Sequence, residues 1–249
     1  MLRRGAKVVA ALVIVAGFAV ALLFFCTPSV GAAPTLVQAA AREHGIAYPG
    51  PNPPRRFIEA LVATEDHRFY SSFDPGIDPI AIGRVILAKI TRQRDQGGST
   101  IEQQLAKMLY TPVRAGRVAK LEQLALAVKL DLAYSKARIL SMYAETAYYG
   151  DGYYGLVAAS CGYFGRKPAD LTWAQAATLA GVLNAPTADD PRRHPVRARA
   201  RESHVFARLV AVKYLSKTEA KAALSQPLGL VPLRGPRRRS PCSGDRRSS

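Results

Sequence analysis

Apolar residues recur at intervals of three and four along almost the whole chain, and this spacing is what most constrains its fold. The strict alternation that a half-buried strand requires is scarce. In residues 55–70, Ile58, Leu61, Val62 and Phe69 fall on one helical stripe. Comparable stripes predict helices over about 79–91, 100–109, 118–133, 156–164, 173–183 and 197–214. Thr172 and Gln175 stand three apart ahead of the 173–183 stripe, the signature of a capping box. The fold class is therefore mostly α.

The ends differ from this body. An uncharged apolar run of about 19 residues, Val8 to Cys26, follows Arg3, Arg4 and Lys7. It is long enough to cross a bilayer, and its basic flank should stay in the cytoplasm with the remainder exported. A cleaved signal is the competing reading, since "SVGAAP" offers small residues to a peptidase. The expected division is a cytoplasmic stub and transmembrane signal-anchor over 1–28, a linker with a short helix over 29–54, a globular domain over 55–224 and a basic disordered tail over 225–249. The formal net charge of +17 suits a polyanion, an anionic membrane surface or a phosphate-bearing substrate. No Walker loop, dinucleotide fingerprint or nucleic-acid module occurs, so nucleic acid is not an expected partner. Cys26, Cys161 and Cys242 show no metal or redox spacing, which argues against a disulfide framework, and the four histidines show no metal-ligand spacing.

Glu65 is the most unusual residue of the body. It falls on the apolar stripe seven after Ile58 and three after Val62, where leucine would cost less. Partial desolvation there should favour a carboxylate that takes up protons, as a general base does. The plainer alternative is that Glu65 pairs with an arginine and only staples the fold. Asp66 points about 100° away along the helix. In "GGSTIEQQLAKMLY", Ser99 and Glu102 have capping-box spacing, while Ile101, Leu105, Met108 and Leu109 form the face to be buried. Gln103 and Lys107 stand four apart on another face with Gln104 beside it, a set suited to a phosphate or sugar near a helix start. Arg84, Lys107, Arg114, Arg117 and Lys120 could surround a pyrophosphate or be scattered surface charge.

Four segments in order, "ATEDHRFY", "GGSTIEQQLAKMLY", "YSKARILSMYAETAYYGDGYYGLVAAS" and "YFGRKPADLTWAQAATLAGVLNAPTADDP", resemble the successive motifs of the peptidoglycan glycosyltransferases, glycosyltransferase family 51, over roughly residues 57–210. The resemblance implies a lysozyme-like helical domain that polymerises lipid II into glycan strands outside the cytoplasmic membrane. It implies that Glu65 is the base that deprotonates the acceptor's sugar hydroxyl, and that basic residues stabilise the departing undecaprenyl pyrophosphate. Ser99, Thr100, Gln103, Gln104 and Lys107 match the second motif, Lys120 the third, and Gly150, Gly152, Tyr154 and Gly155 the glycine-rich turn of the fourth. Lipid II, the growing strand, the membrane and other cell-wall synthesis proteins are the partners implied, and a divalent cation, Mg or Mn, is the one cofactor to consider.

Several positions depart from the family pattern. Ala119, Lys120, Leu121, Glu122 and Gln123 stand where R-K-x-K-E is usual, and neither Arg114 nor Arg117 falls on a family arginine position. Met108 and Glu145 each replace an Asn, and "SSFDPGID" replaces the usual His and Gly after the acidic pair. Lys120 and Gln123, three apart, are expected to face substrate together, so Gln123→Glu is expected to raise activity. No S-x-x-K motif occurs, which fits a monofunctional form. Two other readings compete: a non-catalytic binder of lipid II or glycan that regulates cell-wall synthesis, and a lysozyme-like hydrolase using Glu65 as general acid.

Overall fold

The computed structural model describes residues 21–71, 76 and 99–232. Most of the apolar N-terminal run, the helix expected over 79–91 with its Arg84, and residues 233–249 lie outside the described residues. Residues 21–26 are helical, and no described helix is long and apolar enough to cross a membrane.

The described chain is helical, its one β-type pairing being an isolated antiparallel bridge. Helix α1 spans Ala33–Glu43, α2 Arg55–Glu65, α3 Ile101–Tyr110, α4 Arg117–Ala133 and α5 Lys136–Thr146. Helix α6 spans Leu156–Phe164, α7 Trp173–Val182, α8 Pro195–Ala211 and α9 Lys217–Leu224, with a 3-10 turn at Pro168–Asp170. Hydroxyl caps start most of the later helices. Thr172 and Gln175 form the expected capping box on α7, Ser216 and Glu219 form another on α9, and the Ser135 hydroxyl accepts from Arg138 N on α5.

Two helix groups build the core. In one, α2 packs against both α7 and α8, burying Phe57, Leu61 and Val62 against Leu179 and the Val205, Phe206, Leu209 stripe. In the other, α3 lies between α4 and α5, through Ile101, Leu105, Leu126 and Leu130. Every residue of α7 after Trp173 is buried, and five of the nine are alanine or glycine, so its neighbours approach closely. The approach is tightest at Gly181, where an added Cβ would lie 3.0 Å from Arg201 Cγ.

The glycine-rich turn after α5 is a clasp. Tyr148 and Tyr154 form the isolated bridge, and Tyr149 N donates to Tyr153 O at 2.8 Å. Gly150 has φ of +84°, and a Cβ there would lie 2.5 Å from the Pro186 carbonyl and 2.9 Å from the Tyr163 hydroxyl. Only glycine meets both demands. Arg192 closes the clasp from the far side, pairing with Asp151 at 2.6 Å and covering the Tyr163 ring.

The body is larger than its periodicity implied. The segment expected as a linker supplies Val30, Ala33 and Val37 to the core, and the Tyr134 hydroxyl donates to Val30 O at 2.8 Å. Beyond α9, Gln175 Nε2 donates to Leu228 O at 2.9 Å and Val231 N to Tyr163 O at 2.8 Å, so residues up to 231 are strapped to α7 and α6. The expectation about cysteines is corrected too: Cys161, buried in α6, is disulfide-bonded. Cys26 is free. Spacing along the chain cannot reveal a pairing made across space.

Glu145, the departure on α5, ties the 45–54 segment to the body. Its Oε1 accepts from Gly50 N at 2.8 Å, while Oε2 is buried without a partner among the described residues. Burial pushes this carboxyl up, against the opposing pull of the Gly50 N–H and Arg138. A carboxyl raised on folding stabilises the fold fully below its unfolded range, and that contribution is lost as pH rises through the raised value. Glu145→Gln should therefore raise the melting temperature at pH 7.5 by about 1–3 °C. The gain should vanish near pH 4, as thermal unfolding of both proteins across that range will check.

Candidate active site

Glu65 is the last residue of α2, and packing places it there. A fully buried Leu or Phe contributes roughly 1.5–3 kcal/mol, so Phe57 and Leu61 hold this helix more firmly than an ion pair at its end would. Two bonds finish the helix: Asp66 N donates to Val62 O at 3.0 Å, and Arg208 Nε to Ala63 O at 3.1 Å. The arginine charge also suits a helix C-terminus.

Both Glu65 oxygens are held. Oε2 accepts from Gln104 Nε2 at 2.9 Å and Oε1 from Arg201 Nη2 at 3.3 Å, with 13% of the side chain exposed. Each donor is itself anchored. Gln104 Oε1 accepts from the Tyr143 hydroxyl at 2.8 Å, and Arg201 Nε donates to Gly181 O at 3.2 Å. Helices α2, α3, α5 and α8 thus meet at one carboxylate. Burial, then the Glu65 charge, push the Tyr143 phenol well up, so it remains a protonated donor.

The start of α3 forms the adjoining wall. Its cap is Thr100 rather than Ser99: the Thr100 Oγ1 accepts from Gln103 N at 3.2 Å and donates to Gly76 O at 2.9 Å. The expected Ser99–Glu102 capping box is thereby corrected. Glu102 turns inward to Lys136 at 2.7 Å, because the cap is already filled and a buried carboxylate needs a cation. Asp66 Oδ2 accepts from Ile101 N at 3.3 Å, a fixed negative group at the helix start. Ser99 is left to receive Lys120 Nζ at 2.6 Å, and the same ammonium reaches Gln103 Oε1 at 3.2 Å. Among the described residues Gln103 Nε2 is buried with no acceptor. A cation and an unspent donor together suit an anionic oxygen.

A family model described as transglycosylase matches residues 35–210. The chain belongs to the transglycosylase family. Penicillin-binding protein 1A of Aquifex aeolicus is 38% identical over 70% of this chain and 24% of its own length. A protein of Cupriavidus necator named as a prospective transglycosylase is 37% identical over 71% of this chain and 76% of its own. The chain thus spans about a quarter of the length of the former and about three quarters of the latter. The crystal structure of penicillin-binding protein 1A from Haemophilus influenzae aligns at 27% identity over 53% of this chain and 16% of that one, with a TM-score of 0.37, too low to add to the argument.

Within this transglycosylase domain the remaining expected residues separate. Lys107 is exposed one turn after Gln103 and Gln104, with no hydrogen bond or ion pair among the described residues. Arg117, at the first position of α4, is likewise exposed. Arg114 is engaged by Glu122 at 2.7 Å on the surface. Arg84 lies outside the described residues. Gln123 corrects its expectation: the side chain is buried, and Nε2 donates to Thr111 Oγ1 at 2.9 Å. A spacing of three puts Lys120 and Gln123 near one face, but the α3–α4 contact passes between them, leaving Lys120 outside and Gln123 within. A hollow of about 430 Å³ edged by Pro191, Ala198, Arg199 and Leu228 includes none of these residues.

Sequence reasoning missed Arg201 and Tyr143. Arg201 is one of many arginines in a basic helix, and only the close approach at Gly181 singles it out. Tyr143 reads as an ordinary core aromatic. Among the described residues no cluster of His, Cys, Asp or Glu could hold a metal ion. Gln123→Glu should bury a charge opposite the Thr111 hydroxyl at a cost of about 1–3 kcal/mol. It should lower the melting temperature by several degrees and leave activity no higher than wild type, reversing the expectation from spacing.

Proposed function

We propose that the chain is a peptidoglycan glycosyltransferase that polymerises lipid II on the outer side of the cytoplasmic membrane and releases undecaprenyl pyrophosphate. The observation that carries this reading is the Glu65 carboxylate, held at both oxygens beside a cationic wall with an unspent donor. A non-catalytic binder has no need of a carboxylate so fully positioned. A hydrolase of free glycan has no need of the lysines.

In this reading Glu65 takes the proton of the acceptor's sugar hydroxyl as that oxygen attacks the donor's anomeric carbon. The bond to the pyrophosphate oxygen breaks, and its electron pair leaves with the lipid pyrophosphate. Lys120, Gln103 and Lys107 offset the charge that develops there, where preorganised donors act most strongly. Arg201 holds the Glu65 carboxylate ready, and Gln104 fixes its plane. The apolar run 8–26 would anchor the chain and keep enzyme and lipid substrate on one surface, raising effective concentration. The regulatory partners of such a chain remain those of cell-wall synthesis.

Glu65→Gln keeps the shape and removes the base, so glycan formation from labelled lipid II in detergent should fall by about 10²–10⁴-fold with the fold intact. An equally active variant would sink the reading. Lys107→Ala removes an exposed side chain, so the melting temperature should hold within about 1 °C. Turnover should nevertheless fall by about tenfold or more. Parallel losses of stability and activity would assign Lys107 to the scaffold instead.

A further inference from the structure

Gln104 is held at both ends of its amide. The Tyr143 hydroxyl donates to Oε1 at 2.8 Å, and Nε2 donates to Glu65 Oε2 at 2.9 Å. Tyr143 is buried on the inner face of α5, and among the described residues its hydroxyl has no other acceptor. An amide has one donating and one accepting end, so this geometry selects an orientation. Turned over, Gln104 would set its carbonyl against the Glu65 carboxylate and its NH₂ against the phenol oxygen. The phenolic proton would then be stranded in the core, at the cost of a buried unsatisfied donor.

Protonation of Glu65 changes one side of this balance only. A protonated Glu65 could donate to a turned-over Gln104 Oε1, whereas the phenol still opposes the turn. The Tyr143 hydroxyl therefore favours the orientation that serves an ionised Glu65. We propose that Tyr143 is a positioning residue for the transfer reaction, acting through Gln104 to bias Glu65 toward its ionised, proton-accepting state. The proposal rests on the reading of Glu65 as the base.

The charged groups around Glu65, with Arg201 directly favouring the carboxylate, act on it independently of Tyr143. Arg201 from α8 holds the opposite oxygen, and Asp66 is turned to Ile101 N. His67 and Arg68, beyond the end of α2, contact one another at 3.1 Å. His204, one turn along α8 from Arg201, is held toward its neutral form by burial, Arg201 and Arg208. Lys107 is exposed a turn beyond Gln104. Removing the phenol oxygen alters none of these.

The test is a carbon-13 titration of the glutamate carboxyls in the full chain in detergent micelles, with Glu65→Gln identifying the Glu65 signal. In Tyr143→Phe the Glu65 midpoint should move up by about one pH unit. Polymerisation should then fall by about tenfold at the acid end of the profile and recover toward wild type at alkaline pH. Incorporation of 3-fluorotyrosine at 143, a stronger donor of nearly the same shape, should move the midpoint down, and it carries the test if the Phe variant folds poorly. Gln104→Leu should shift the midpoint up by itself, with no further shift on adding Tyr143→Phe. An unmoved midpoint in the Phe and fluorotyrosine proteins, or additive shifts in the double variant, would overturn the proposal. Variant midpoints that move as expected, with a wild type that makes no glycan, would overturn the transferase reading and leave the bias standing.

Discussion

Seating a carboxyl group at the edge of a helical core is the constraint on which the rest of this structure depends. An unpaired charge there would cost several kcal/mol. Glu65 avoids that cost because two donors from different helices reach it and each is tied down in turn. Neither donor can be placed without the packing that brings α3, α5 and α8 to the end of α2. The same packing fills the core, so fold and site are one set of contacts.

The wall beside Glu65 follows a different rule. Lys120 reaches two side-chain oxygens but meets no carboxylate in those contacts, and Lys107 is exposed. Elsewhere the protein matches its charges: Glu102 with Lys136, Asp151 with Arg192, Glu122 with Arg114. Much of the chain's +17 is therefore diffuse, and what distinguishes the wall is an exposed lysine beside an ammonium that a hydroxyl and an amide oxygen both receive. Among the described residues Lys107 has no salt bridge to give up before it meets a polyanion.

Much of this was legible in the sequence, for physical reasons. Helix periodicity survives translation into structure because burial enforces it, and so the helices over 55–65, 101–110 and 173–182 were visible, as was the capping box at Thr172. Glu65 stood out because a charge on an apolar stripe is costly. What remained hidden depended on the third dimension. Hydroxyls one residue apart compete for a cap, and local spacing did not show that Thr100 would win. The inward turn of Gln123 follows from where α3 crosses α4. Residues 30–37 looked like a linker because a single short helix has no visible stripe until α5 is laid against it.

One further consequence belongs to the close approach at Gly181. Its carbonyl receives Arg201, and the space a Cβ would occupy is taken by the Arg201 stem. The two positions are thus geometrically one unit, although twenty residues separate them. Drift at either would be tolerated only with compensation at the other, so they should covary as a pair among homologous sequences. A candidate site can leave such a trace in a lineage at a residue that carries no side chain at all.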